Sequence, residues 1–410
     1  MDDRDARELL ERFGTFVDQF GVCFNRRPQR EAARRYLDGL FNDSERKSMQ
    51  AMHGRLSDPA TYQALQHFVT DSPWEADALW TRLRAVVPTR EGLLAVDDTG
   101  LPKQGRHSPG VQRQYCGALG KIGNCQVAVS TVLLADGLTW PLSCDLYVPQ
   151  TWIADPERCA RAGIPETTRF REKWRIALTQ IRRAMTAGLT ITAVVADTDY
   201  GSTAAFRRGL EHLGVRYAVA IRGCVTVWIA GARRALPVSE VATAVSETAW
   251  QRVEWGIGTK GPLAARFAAY RVRPAKSRGD RWLLCERSLA TDERKYYLLN
   301  LDDTAPLRDL VRLARSRWPI EQQYRELKDD LGFDHFEGRT YRGWTHHVVL
   351  TAIAFTFLQV ERQQNAHGTR PTLPTVRLWV REIMGVLYII NTRRVLNLIE
   401  SFRRNPPLRR

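Results

Sequence analysis

The chain has 410 residues, enough for roughly two or three domains. Its hydrophobic fraction of 44% supplies a core, while its longest apolar run, Val348 to Leu358, is too short to span a bilayer. Lys and Arg number 61 against 45 Asp and Glu, a formal net charge of +16 that points to a polyanionic partner, most simply nucleic acid. The seven cysteines, at positions 23, 116, 125, 144, 159, 224 and 285, include no Cys-x-x-Cys pair. They read as reduced thiols, mostly buried, in a cytoplasmic protein without a zinc site. The opening Met-Asp-Asp-Arg-Asp is too polar for a signal peptide.

Residues 1–88 read as a helical N-terminal domain, with Leu9, Leu10, Phe13, Phe16, Val17 and Phe20 at helical spacing. Arg26, Arg27, Arg30, Arg34 and Arg35 form a basic cluster, suited either to DNA contact or to the solvated face of a helical cap. From Gly92 the pattern changes. Leu93 to Thr99 predicts a buried strand ending in Asp97 and Asp98, followed by a Gly-, Lys- and Arg-rich loop from Lys103 to Lys121. Strands over Cys125–Leu134 and Leu138–Val148 pair across the Ala135-Asp136-Gly137 turn. A basic amphipathic helix over Thr167–Ala187 leads to a strand from Thr190 that ends in Asp197. A helix over Ser202–Leu213 and a strand over Arg216–Ile221 complete a mixed α/β layer, residues 89–222. Residues 223–294 alternate Val, Trp, Ile, Arg and Thr between turns and read as a β-rich insertion. The core resumes over 295–362, and 363–410 reads as a basic helical region ending in the tail Arg403–Arg410.

Pro319 suits the first position of a helix, strong helix formers follow to Leu331, and Gly332 can end it. Glu321 and Lys328 are seven residues apart, which returns to within about 20° of one face, and Arg317 falls there if the helix starts early enough. Such a stripe either holds a metal beside a polyphosphate backbone or is a salt-bridge ladder. Asp97 and Asp98 point to opposite faces of their strand, so at most one serves a given site. One of them, with Asp197 and Glu321, makes a hard-oxygen set suited to Mg²⁺ or Mn²⁺.

The combination resembles the insertion-sequence transposases of the DDE superfamily with a Tyr-x2-Arg-x3-Glu-x6-Lys signature, and in particular the insertion-sequence family 701-like branch, related to the family 4 group. Arg317, Glu321 and Lys328 match at that spacing, whereas the tyrosine position is Ala314. Val96-Asp-Asp-Thr99 resembles the first-acid strand, in which the catalytic Asp precedes Thr, and this selects Asp98. Ala196-Asp197-Thr-Asp-Tyr-Gly201 resembles the second-acid motif. Lys103-Gln-Gly105, Gln114-Tyr-Cys-Gly117, Asn124-Cys-Gln126 and Gly343-Trp344-Thr-His-His347 are also similar to one branch of the group.

The resemblance implies an α/β fold: a ribonuclease-H-like catalytic core with a β-rich insertion, flanked by helical N- and C-terminal regions. It implies catalysis by Asp98, Asp197 and Glu321 with two Mg²⁺ or Mn²⁺ ions, and cut-and-paste transposition through a DNA hairpin at the element's ends. Arg317, Lys328, Lys103, Arg26, Arg27 and Arg30 are candidates to contact double-stranded DNA. Trp282, or else Tyr296, is a candidate to stack on a flipped base. The implied setting is a homodimeric synaptic complex, cytoplasmic and nucleoid-associated in a bacterium, with no membrane. A related endonuclease lacking strand transfer, or a non-catalytic DNA-binding protein, is the alternative.

Overall fold

The computed structural model describes residues 3–42, 44–56, 61–258, 261–291, 293–366 and 370–386. Five helices open the chain: α1 (Asp3–Asp18), α2 (Arg27–Phe41), α3 (Met49–His53), α4 (Tyr62–Thr70) and α5 (Ala76–Val86). The first half of the sheet follows, as β1 (Glu91–Pro102), β2 (Gln112–Cys116), β3 (Lys121–Ala135) and β4 (Leu138–Leu146). Two short helices, α6 (Gln150–Ile153) and α7 (Pro156–Arg161), precede α8 (Lys173–Thr186). Next come β5 (Thr190–Ala196), α9 (Thr198–Ser202), α10 (Ala204–His212) and β6 (Tyr217–Ile221).

Antiparallel β3 lies beside β1, and β1, β5 and β6 run parallel. β2 and β4 line the outer side of β3, end to end. The hairpin between β3 and β4 forms where predicted, with its turn shortened to two residues because Ala135 still pairs with Leu138: Asp136 (φ 52°) and Gly137 (φ 71°) both take the positive values that a hairpin turn of this twist requires. This strand order is the ribonuclease-H-like arrangement expected from the sequence.

Residues 223–294 are strand-rich, comprising β7 (Thr226–Trp228), β8 (Leu236–Pro237), α11 (Val238–Thr243), β9 (Gln251–Gly258), β10 (Gly261–Pro274) and β11 (Arg281–Arg287). β12 (Arg294–Leu299) then pairs with both β6 and β11, so these strands continue the same hydrogen-bonded sheet. Three helices follow: α12 (Leu307–Ala314), α13 (Trp318–Leu331) and α14 (Tyr341–Gln364). α14 is apolar all round and accordingly buried. The N-terminal helices pack on it, with Phe13 and Phe357 ring to ring at 5.0 Å, and β4 covers another side. Residues 373–386 are helical, and the tail Arg403–Arg410 lies outside the described residues.

The strand period sorts the core. Leu94 and Val96 pack with Ile176, Ile181 and Phe206 from α8 and α10, whereas Ala95 packs with Val311, Ile320 and Tyr324 from α12 and α13. The sheet is thus covered on both faces. Four local expectations shift. Asp97 and Asp98 sit mid-strand, because β1 runs on to Pro102 along β3. The segment after it contains β2. The helix expected from Thr167 begins at Lys173, and the one expected over Ser202–Leu213 is split at Thr203 into α9 and α10. All seven cysteines are free thiols, but only Cys116, Cys125 and Cys285 are buried.

Candidate active site

Alternation along β1 sends its two acids to opposite faces. Asp97 faces α13 and is 8% exposed, and its carboxylate accepts from Arg317 Nη1 at 2.6 Å and from the Asp98 backbone N–H at 2.8 Å. Asp98 faces α8, where it accepts from Lys173 Nζ at 3.1 Å and from the Tyr200 hydroxyl at 3.2 Å. Asp197 ends β5 and caps α9, accepting from the backbone N–H groups of Asp199 and Tyr200 at 3.0 and 3.2 Å. Asp199, the alternative in that motif, is exposed and pairs with Arg222. Gly201 lets this turn press onto β6: a Cβ there would stand 1.9 Å from the Ala220 carbonyl oxygen.

α13 begins as expected, with Pro319 in its first turn, and ends at Gly332 in the left-handed conformation, φ 65°. Glu321 is held by Arg317 one turn earlier, so Arg317 bridges Glu321 to Asp97. Lys328, two turns on, donates to Thr99 Oγ1 at 2.7 Å and to the Gly100 carbonyl at 3.1 Å. The stripe of Arg317, Glu321 and Lys328 therefore faces β1. The neighbouring Tyr324 hydroxyl meets Ser130 Oγ at 2.6 Å beneath it. Ala314, where the signature has tyrosine, is buried at the end of α12.

Crowding of like charge marks the place. Burial pushes the Asp97 carboxyl up to about 7 against the pull of Arg317, and Asp197 and Asp98 add to the rise. Burial also raises Asp197 against its backbone hydrogen bonds, with Asp98 contributing. Among the described residues no three of His, Cys, Asp and Glu stand together as a ready ion cage. Arg317 and Lys173 instead balance the acids. Carboxylate oxygens on β1, at the end of β5 and on α13 are hard donors of the kind a divalent cation takes, and the β1 acid on the α13 face is Asp97, with Asp98 on the α8 face.

The remaining predicted residues are spread out. Lys103 is tied to the Asp334 and Phe336 carbonyls at 3.0 and 2.6 Å, and burial lowers it to about 8. Trp282 is half-buried; its indole N–H donates to the Asp302 carbonyl, and Arg271 lies 5.1 Å from its ring centre. Tyr296 is half-buried on β12. Arg26, Arg27 and Arg30 lie on and beside α2, distant from the acids in sequence, and Arg27 pairs with Glu31.

Two neighbours of Asp98 carry no role in the motifs. Tyr200 lies in the second-acid motif, but nothing local says that its hydroxyl crosses to β1. Lys173 carries a usable signal: a cation in the first turn of a helix opposes the helix dipole, which suggests an acidic partner elsewhere.

A ribonuclease-H-like sheet with an acid on β1, an acid at the end of β5 and an acid on the helix beyond a strand-rich insertion defines the class of DDE-type nucleic-acid enzymes. Residues 19–262 match the model of the family described as DDE superfamily endonuclease, and the chain belongs to that family. The matched span contains Asp98 and Asp197 and stops before Glu321. The family generally uses divalent metal ions. The chain is also similar to the "Probable transposase for insertion sequence element IS701" of Microchaete diplosiphon. It is 33% identical over 189 residues, 45% of this chain and 47% of that protein, so the chain spans about half the length of the curated relative it matches. Among the described residues no helix is long and apolar enough to cross a membrane.

Proposed function

We propose that the chain is a DNA transposase that cleaves DNA at the ends of its own element and joins them to target DNA, by a cut-and-paste route through a hairpin. The observation that carries this reading is the Arg317 bridge, which ties the signature helix and Glu321 to the acid-bearing strand β1. Asp98, Asp197 and Glu321 are the proposed holders of two Mg²⁺ or Mn²⁺ ions. Bound there, the metals would activate an attacking oxygen and stabilise the leaving oxygen of a phosphodiester. Asp98 is proposed over Asp97 on the resemblance, in which the catalytic Asp precedes Thr; its carboxylate lies on the α8 face with Lys173 and Tyr200, and Asp97 is the acid that Arg317 ties to Glu321.

The chain's own residues supply positioning. Lys328 offers a phosphate a point charge, and Arg317, whose planar fork already spans Asp97 and Glu321, is proposed to share it with a phosphate when DNA enters. Among the described residues the hydrogen-bond partners of Lys328 and Lys103 are neutral oxygens, which leaves a DNA phosphate as their proposed counter-charge. The proposed division follows the sequence: 1–88 contacts DNA, 89–222 and 295–362 form the core, 223–294 is its insertion, and 363–410 adds a basic region. Two copies would bring two element ends together in the cytoplasm.

The test uses a plasmid carrying the DNA that flanks the gene, incubated with the protein and Mg²⁺ or Mn²⁺. Nicking at the element's ends, lost in Asp98→Ala, Asp197→Ala and Glu321→Ala with binding retained, supports the reading. Nicking without joining to a second DNA would leave an endonuclease. Binding without nicking in any metal would leave a DNA-binding protein.

A further inference from the structure

The hairpin that follows the acid-bearing strand carries a surface that neither the core nor the acid site uses. Tyr115 on β2 and Ile122 on β3 are register partners, so their side chains stand together on one face. They are 67% and 63% exposed. Arg113, two residues before Tyr115, shares that face and is exposed. Its register partner Asn124 tethers the adjoining loop, donating to the carbonyls of Lys103 and Gly105 at 2.8 and 2.7 Å. Exposed Arg106 continues that loop.

The base of the hairpin is built. Gln126 donates to the Pro109 carbonyl at 2.7 Å, and Cys116 and Cys125 are fully buried. Cys116 sits so close on β1 that a Cβ at Gly100 would stand 2.5 Å from its sulfur. Gly120, with φ 62°, closes a tight tip. The apolar pair is thus held out on a fixed support.

Charge identifies what it meets. From Thr99 to Ala135 the sequence holds no Asp or Glu, while Lys103, Arg106, Arg113 and Lys121 are present. At the chain's average of 45 acids in 410 residues, those 37 residues would hold about four. Two side chains are also far too little for a stable contact between protein copies, which buries about 1,200 Å² or more.

We infer that Tyr115 and Ile122 form an apolar wedge that enters a DNA duplex between base pairs, with Arg113 and Arg106 on the flanking phosphates. This rests on the DNA-cleaving reading above. Ile122 lies eight residues from Ser130, the register partner of Asp97, so the pair stands on the sheet face that Asp97 and α13 share.

The experiment scans 2-aminopurine along duplexes made from the DNA flanking the gene. It compares the wild-type chain, the Tyr115→Ala/Ile122→Ala double variant and Tyr115→Trp. Fluorescence should rise on binding at one step of the duplex, in the wild type and Tyr115→Trp and not in the double variant. The double variant should cut about 10- to 100-fold more slowly, with the loss recovered when that step carries a mismatch. No fluorescence rise at any step, or an unchanged rise in the double variant, overturns the wedge. So does altered sedimentation of the double variant without DNA, joined to normal cutting, which would give the pair to a contact between copies. The fluorescence needs binding and not cleavage. A wild-type chain that never cuts therefore sinks the transposase reading while the wedge is still decided.

Discussion

The guanidinium of Arg317 donates to Asp97 Oδ2 at 2.6 Å, joining the first turn of α13 to the middle of β1. The same group holds Glu321, so one cation fixes the distance between the strand and the glutamate. Asp97 is the anchor in this arrangement. Asp97→Asn keeps the shape and removes the charge that Arg317 pairs with. Cleavage should fall about 100-fold and stay measurable, as expected for a small displacement of reacting groups. Asp98→Ala should leave none. Full cleavage by Asp98→Ala together with a dead Asp97→Asn would make Asp97 the metal-holding acid.

The helix bearing Glu321 is also fixed at its far end. The Tyr36 hydroxyl lies 2.7 Å from His347 Nδ1, and His347 Nε2 lies 3.0 Å from the Gly332 carbonyl that closes α13. A neutral ring accepting from Tyr36 and donating to Gly332 satisfies all three groups. Next to it His346 stacks on Trp74 at 3.4 Å. Burial lowers both histidines to about 4, from an ordinary 6.5, despite the backbone carbonyls around them. The unfolded chain takes up these protons near 6.5 and the folded chain only near 4. Stability is therefore full above 6.5 and is lost as the pH falls toward 4. Denaturant midpoints measured across that window should drop, and His347→Gln should drop less steeply than the wild type. Equal slopes would exclude this histidine as a source. Tyr36→Phe should cost about 1–3 kcal/mol at neutral pH by stranding a buried acceptor.

Much of this framework is legible in the sequence because it rests on local rules. Alternation marks β1 and β5, the Asp136-Gly137 turn marks the β3–β4 hairpin, and Pro319 with Gly332 brackets α13. Partners far apart in the chain are not legible. Nothing near Asp98 announces Lys173, 75 residues on, and nothing near Asp97 announces Arg317, 220 residues on. The His346-His347 pair is visible as a motif, but its work depends on Tyr36 and Gly332 arriving from two other helices. Strand ends escape the sequence where pairing outruns the apolar pattern: β1 continues past its acids only because β3 is there to bind it.

The arginine cluster of α2 makes a separate prediction. Arg27 and Arg35 lean on Glu31 at 2.8 and 3.9 Å, whereas exposed Arg26 and the neighbouring Arg30 and Arg34 stand apart from that acid. These three are therefore the freer to meet phosphates. Replacing them together by Ala should weaken DNA binding and flatten the dependence of log affinity on log salt by about 0.9 for each phosphate left unneutralised. An unchanged slope would assign the cluster to a solvated helix face.

Lys328 allows the sharpest separation of two roles. Its ammonium lies between Thr99 Oγ1 and the Gly100 carbonyl, both neutral, and burial lowers its pKa. As a structural strut it would tie α13 to β1 through ordinary hydrogen bonds, worth about 1 kcal/mol each. As a phosphate contact it would add a charge at the end of the same strand that carries Asp98. Lys328→Met keeps the length and apolar stem and removes the charge. The strut role predicts a lower melting temperature, unchanged salt dependence of DNA binding, and cleavage reduced only in proportion to folded protein. The phosphate role predicts a melting temperature nearly unchanged, a salt slope smaller by about 0.9, and cleavage down about 100-fold. The neutral partners favour the second outcome, because a half-buried cation without a carboxylate is stabilised most by an anion that arrives with the substrate. A variant with wild-type cleavage and an unchanged salt slope would show that no phosphate reaches this position.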